Sequence, residues 1–387
     1  MDRPQACLQE SQVTRQMEKR TQGLVMLHCP PSRKLRSHEW ATHAALARRI
    51  AALSGHEFGG EYEADARYRQ PLYFVPSDTL LRSEADTLGI DDEHQLFGGV
   101  VPHAFVATKT ITHALIDSTA AAPPGWSAQF GEQVKTQVLP GFSAFDLHDL
   151  RRAALQLLQD GSVRMKLPDG IGGLGQSVIR SAQELEDFLQ QLEKEALRHC
   201  GVVVEANLND VETYSVGQSL VGKMLITYCG TQKLTASNHG NEVYGGSDLI
   251  VVRGDFDRLL QLEWEASMHT AISQACHYHA AALACYPGMF VSRANYDVAQ
   301  GWDDRGRWHC GVLEQSWRIG GASGAEVAAL EMFAAAPELQ VVHASTTEAY
   351  GEQVDVPAHA HVYYQGHDET VGHLTKYSLT KDYANAR

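Results

Sequence analysis

Continuous apolar runs and amphipathic stretches take turns along the first hundred residues. Residues 23–29 (Gly-Leu-Val-Met-Leu-His-Cys) have the unbroken apolar character of a buried strand, and residues 38–53 have the spacing of an amphipathic helix. A second apolar strand at 72–75 runs into Pro76-Ser77-Asp78, which predicts a helix capped there and ending near Thr87. Strands alternating with helices imply a small parallel α/β layer. Farther on, a helix is expected from Thr108 to Ile116, a linker over 120–126, and a helix over 145–158 that leads into a short strand carrying Lys166. Ser181 and Glu184 form a capping box ahead of Leu185, Phe188, Leu189 and Leu192.

Beyond residue 200 the period changes. Val202-Val-Val204 is wholly β-branched and ends in Glu205, the mark of a buried strand. Alternating segments from Glu212 through 226–229 and 249–253, with turns at Gly240 and Gly245-Gly246, predict an antiparallel sheet. A helix, with a break left open, spans 256–285. Asp303-Asp-Arg-Gly306 is then the turn of a hairpin with arms at 289–298 and 307–318. Residues 320–326 (Gly-Gly-Ala-Ser-Gly-Ala-Glu) supply a second capping box, Ser323 and Glu326, for a helix along Val327, Leu330 and Phe333. From Glu338 onward the pattern is of strands and loops with no assigned place.

Charge narrows the partners. The chain has 387 residues, and 47 acids against 32 Lys and Arg give a formal charge of −15. No basic footprint exists, so neither nucleic acid nor an anionic membrane is expected. No apolar stretch is long enough to span a bilayer, and residues 1–20 lack the apolar core of a signal peptide, which together predict a cytoplasmic protein. Seven dispersed cysteines without a C-x-x-C pair read as reduced thiols. His277 and His279, in the densest histidine cluster, are two apart on a helix and face different ways, so they do not chelate one ion.

The chemistry concentrates in residues 164–176, where four glycines in six residues follow the Lys166 strand. Such a loop can turn several backbone N–H groups toward one anion, and a nucleotide phosphate is the obvious one. Gly170, Gly172 and Gly175 satisfy G-x-G-x-x-G, but the chain continues as strand where a dinucleotide fingerprint opens a helix. The same stretch has Walker A spacing with Gln176 in place of the phosphate-binding lysine. What remains is strand, glycine loop, strand, with the Lys166 ammonium in reach of whatever the loop covers. A glycine-rich hairpin tip with a solvated lysine is the alternative.

The acidic hairpin is the second focus. Strand alternation puts Val312, Glu314, Ser316 and Arg318 on one face and Leu313, Gln315 and Trp317 on the other. A turn at 304–305 makes Asp297 a direct or diagonal neighbour of Glu314. Two carboxylates that close repel unless a cation lies between them, and hard oxygen ligands suit Mg²⁺. The alternative is a solvated hairpin face with Arg318 in an ordinary cross-strand ion pair.

In order and spacing, Lys166 before Gly172-Gly173-Leu-Gly175, then Glu205, Glu212, Asp297 and Glu314-Gln-Ser-Trp-Arg318 resemble the ATP-grasp superfamily over residues 109–326. Residues 295–301 (Asn-Tyr-Asp-Val-Ala-Gln-Gly) and 313–323 are similar to a bacterial family known only as a domain of unknown function. The resemblance implies an α/β (α+β) chain with the ATP-grasp fold. A tail (1–21) and a small N-terminal α/β domain (22–106) would precede the core (107–335), whose glycine-loop lobe is 145–205 and whose sheet and metal lobe is 206–335. Residues 336–387 would be an extension.

It further implies an ATP- and Mg²⁺-dependent ligase, with Mn²⁺ as a substitute ion, that activates a carboxylate as an acylphosphate for attack by an amine or similar nucleophile. Kinase-like transfer, or nucleotide binding without turnover, are the alternatives. Its partners would be small molecules, with self-association left open. Residue by residue, the resemblance places phosphate contacts on Lys166, Lys109 and the loop glycines Gly172, Gly173 and Gly175. Adenine and ribose fall to Glu205, Ala206, Asn207, Leu208 and Glu212, the metal to Asp297, Glu314 and Ser316, and catalysis to Lys166 and Arg318. Arg318, Gly320, Gly321 and Ser323 would hold the acceptor carboxylate at a helix start. Ser316 stands where the superfamily pattern has asparagine.

Overall fold

The structure, a computed structural model, describes residues 23–30, 36–168 and 175–383. The first apolar run is β1 (Leu24–His28), followed by α1 (Ser37–Ser54), β2 (Glu57–Glu61) and β3 (Leu72–Pro76). The strands are parallel in the order β2-β1-β3, and Ala44, Ala47 and Ile50 of α1 share a core with Val25, Leu27 and Val75. The helix expected from residue 77 starts later. Leu80 and Leu81 first form β4 (Leu80–Leu81), and α2 (Arg82–Leu88) follows, with the Leu81 N–H donating to Glu84. β5 (Gly99–Val101) pairs with β4.

The helix expected from Thr108 contracts to one 3₁₀ turn, Lys109–Thr112, capped by the Thr108 hydroxyl. Thr110, Ile111 and Thr112 are β-branched and fully buried, and both facts work against extending a helix through them. After the linker come α3 (Ala128–Val134), which the pattern did not announce, and β6 (Gly141–Ala144). A small lobe follows: α4 (Leu147–Leu158), β7 (Val163–Lys166), β8 (Gln176–Ile179), α5 (Ala182–Gln191), α6 (Lys194–Cys200) and β9 (Val202–Ala206). Its antiparallel sheet has the order β6-β9-β7-β8, and Leu150, Met165, Leu185 and Val204 meet in its core. Asp146 caps α4, and Ser181 accepts from the Glu184 N–H at the start of α5 while the Glu184 carboxylate returns to the Arg180 N–H.

The larger lobe runs β10 (Asn209–Val221), β11 (Met224–Ala236), β12 (Glu242–Arg253), α7 (Phe256–Leu260), α8 (Ala266–Cys285), β13 (Phe290–Val291), β14 (Arg293–Trp302), β15 (Trp308–Ser316) and α9 (Ser323–Ala335). The segments left unplaced after residue 338 are β16 (Val341–Tyr350), β17 (His361–Asp368) and β18 (Gly372–Asp382). They join one eight-stranded sheet in the order β15-β14-β10-β11-β12-β16-β18-β17.

Two local expectations are corrected. Gly245-Gly246 is not a turn but an irregularity inside β12, where a Cβ on Gly246 would sit 2.1 Å from the Thr346 carbonyl oxygen of the neighbouring strand. Ser323 and Glu326 do not form a capping box. The Ser323 hydroxyl accepts from the Gly320 N–H at 3.0 Å, and Glu326 is fully buried against Arg293.

Candidate active site

A cavity of about 700 Å³ is walled by both antiparallel sheets, the start of α1 and the turn before α9. Lys166, Glu205, Ala206, Leu208, Asp297, Glu314, Ser316, Arg318, Gly320 and Gly321 all line it. Residues named from opposite ends of the sequence thus face one space.

Lys166 ends β7 with its side chain buried, and its ammonium lies 2.6 Å from Glu205 Oε1 on β9. The other Glu205 oxygen lies 3.1 Å from His113 Nε2. Burial works to raise the Glu205 pKa, but the Lys166 charge and the His113 imidazole outweigh it and hold the carboxyl below its ordinary value. Gly141 on β6 pairs with Glu205, and a Cβ there would meet His113 at 2.7 Å, so the close approach of these groups requires glycine. Arg164, two residues before Lys166, also lines the cavity and donates to Asn207 Oδ1 (2.8 Å) and Gln176 Oε1 (3.1 Å). Strand alternation from Lys166 was the signal that could have found it.

On the acidic hairpin, Asp297 and Glu314 are direct cross-strand partners. The alternation expected along β15 fails at one place. A bulge leaves Leu313 unpaired between Val312 and Glu314, so Val312 turns into the core while Leu313 joins Glu314 on the cavity side. Burial and the Glu314 carboxylate opposite push the Asp297 pKa up to about 7. Its Oδ1 nonetheless accepts from Gln232 Nε2 (2.7 Å) and Asn295 Nδ2 (2.9 Å). Asn295 pairs directly with Ser316, so an amide stands on β14 beside the hydroxyl that β15 offers.

Under this hairpin lies an ion pair that the sequence did not reveal. Arg293 and Glu326 are 1% and 0% exposed, with Nη2 2.7 Å from Oε1. Arg293 Nη1 donates to the carbonyls of Ser316 (3.2 Å) and Arg318 (2.6 Å), fixing the backbone that carries both side chains. Replacing one member strands a buried charge, at a cost of about 3–5 kcal/mol. Arg293→Met is therefore expected to lower the denaturation midpoint strongly, and Arg293→Met/Glu326→Gln to recover part of the loss. A near-parental midpoint for the single variant would contradict this role.

Several expected residues are placed elsewhere. The Lys109 ammonium is buried and sits 2.7 Å from Glu314 Oε2, beside the acidic pair. Asn207 supports Arg164 from outside the cavity lining, and Glu212 is exposed, accepting from the Tyr214 hydroxyl (2.5 Å) and Gln300 Nε2 (2.6 Å). Ser323 is buried behind Gly320. Gly172 and Gly173 lie outside the described residues. Gly175 is described, with φ 71° and its carbonyl accepting from the Leu167 N–H.

The donor set suits one ion type better than another. No group of three His, Cys, Asp or Glu side chains that could hold a metal ion is present among the described residues. That does not match a structural Zn²⁺ site, which takes four protein ligands. Two facing carboxylates fit Mg²⁺, which completes its shell with waters and phosphates. Among the described residues no helix is long and apolar enough to cross a membrane.

No curated protein matches the sequence. In structure the chain is similar to N5-carboxyaminoimidazole synthetase from Staphylococcus aureus complexed with ADP, with a TM-score of 0.51 at 11% identity over 94% of each chain. It is also similar to the biotin carboxylase domain of 2-oxoglutarate carboxylase from Hydrogenobacter thermophilus, in complex with MgADP, ADP and bicarbonate. There the TM-score is 0.50 at 11% identity, over 93% of this chain and 86% of that one. Likeness at this identity speaks to the fold, and the fold is ATP-grasp. Residues 26–378 match the model described as "Protein of unknown function (DUF3182)", and the chain belongs to that family.

Proposed function

We propose that the protein is an ATP- and Mg²⁺-dependent ligase that activates a carboxylate as an acylphosphate for attack by an amine or similar nucleophile. The observation that carries this reading is the convergence of Lys166 and the Asp297–Glu314 pair on one cavity. Phosphoryl transfer requires positioning and charge neutralisation more than covalent help, and these groups supply both kinds of charge. Lys166 would meet the ATP phosphates by exchanging part of its contact with Glu205, and Arg164 lies on the same strand face. Asp297 and Glu314 would hold the ion, which when bound neutralises phosphate charge. Arg318 and the Gly320-Gly321 backbone would face the acceptor carboxylate. The structural neighbours complexed with ADP and MgADP support a nucleotide of this kind.

Mg²⁺-dependent ADP release tests the reading, using carboxylates with and without amines or thiols. ADP release with one carboxylate, and hydroxylamine trapping of its acylphosphate, is the expected result. Transfer to a hydroxyl with no trapped intermediate would replace the ligase by a kinase-like enzyme. A second reading, nucleotide binding without turnover, is favoured by Ser316, whose hydroxyl lies 3.3 Å from Arg293 Nη1. ATP binding with no ADP release across the panel would support it.

A further inference from the structure

The end of the cavity next to α1 has its own chemistry. His38 lies in the first turn of that helix with 5% of its surface exposed, lines the cavity, and has no hydrogen-bond partner on either ring nitrogen among the described residues. Its backbone N–H is 3.4 Å from Asp368 Oδ2, and its ring is edge-on to Tyr364 with centroids 6.0 Å apart. Burial, with help from Lys376 and Arg36, lowers its pKa to about 4, so at neutral pH the imidazole offers one donor and one acceptor. Leaving a buried polar group unmatched is destabilising. A ligand whose polar group reaches either nitrogen would remove that cost.

In the same wall, Glu348 on β16 and Lys376 on β18 are direct cross-strand partners, with Nζ 2.9 Å from Oε1 and side chains 18% and 10% exposed. The contact occupies one of three ammonium N–H groups and one of two carboxylate oxygens. The pair is partly buried, and ions drawn even part-way out of water repay their desolvation best when those remaining groups also find partners. Arg36 and Glu39, 2.7 Å apart, add a second balanced pair to the lining. A simple anion would meet as many carboxylates as cations here, and so would a simple amine. A molecule bearing both charges satisfies both members of the partly buried pair.

We propose that His38, Glu348 and Lys376 form a second-substrate subsite for a zwitterionic, amino-acid-type ligand, its carboxylate on Lys376 and its ammonium on Glu348. Its role as a substrate site rests on the ligase reading; the class of ligand rests on the ion pair and the imidazole.

The test is ligand-induced thermal shift and calorimetry on the full chain. The probes are the common L-amino acids and glycyl dipeptides, each beside its deaminated acid and decarboxylated amine. At least one zwitterion is expected to raise the melting temperature, with at least a tenfold loss of affinity when either charge is missing. Lys376→Met/Glu348→Gln leaves no lone buried charge and is expected to lose that zwitterion at least tenfold while keeping the ATP response. His38→Phe is expected to weaken it independently of the ion pair. Absence of any zwitterion response in a chain that responds to ATP, equal binding of the one-charge analogues, or parental affinity in both variants would overturn the subsite. An absent ATP response in the parent would count against the ligase reading alone, and the amino-acid response would still decide the ligand class.

Discussion

In Lys166→Met/Glu205→Gln, ATP with Mg²⁺ is expected to leave the melting temperature unchanged, whereas in the parent it raises it by several degrees. A ligand that binds only the native state stabilises it by mass action, about 2.7 kcal/mol at a hundred times its dissociation constant. The double variant is needed because Lys166 has a structural duty as well. Its ammonium is 2.6 Å from Glu205, and both side chains are almost fully buried. Among the described residues Lys166→Met alone leaves the Glu205 carboxylate with only His113, and breaking such a pair costs about 3–5 kcal/mol. The single variant should therefore melt early with or without nucleotide. Removing the Glu205 charge as well should restore most of the apo stability but not the ATP response. A purely structural Lys166 predicts that both return together, and equal ATP shifts in the parent and the double variant would exclude it from the nucleotide site.

What could be read in the sequence was local. Lys166 stands out in the sequence because a short strand and a glycine run adjoin it, and the pairing of Asp297 with Glu314 is legible because a four-residue turn sets the register between its arms. Periodicity did not show the bulge at Leu313, since one unpaired residue changes the facing of its neighbours without changing their composition. The Arg293–Glu326 pair was hidden for another reason. Glu326 stands three residues after Ser323, which imitates a capping box, and only the packing of α9 against β12, β16 and β18 turns that carboxylate inward to meet Arg293. β16 pairs with β12, and β18 with β16, across long separations, so His38 and Lys376 come to share one wall although more than three hundred residues lie between them. Glu212 carried its expected acid, but on the strand face where it bonds Tyr214 and Gln300.

In Glu314→Gln, ADP release is expected to fall by roughly a hundredfold or more, the usual scale for losing one group that neutralises transition-state charge. Apo stability should change little, because two effects oppose. Removing the charge relieves repulsion with Asp297 but weakens the 2.7 Å contact to the Lys109 ammonium, which Gln keeps only as a hydrogen bond to a neutral acceptor. The difference between a charged and a neutral hydrogen bond is about 1 kcal/mol. The pH profile separates this from an ordinary hairpin face. In the folded parent, burial and Glu314 keep the Asp297 proton on to about 7, against an ordinary value of 3.8. Across that window the folded state binds more protons than the unfolded state, so this group makes apo stability fall as pH rises, and the loss is complete only above the folded pKa. Glu314→Gln leaves burial in place but removes the neighbouring charge, so the fall should be shallower and end at lower pH. Melting curves in chelator across the window, read beside Mg²⁺-dependent ADP release, make the comparison. Superimposable pH profiles with near-parental turnover would return both acids to an ordinary solvated strand face.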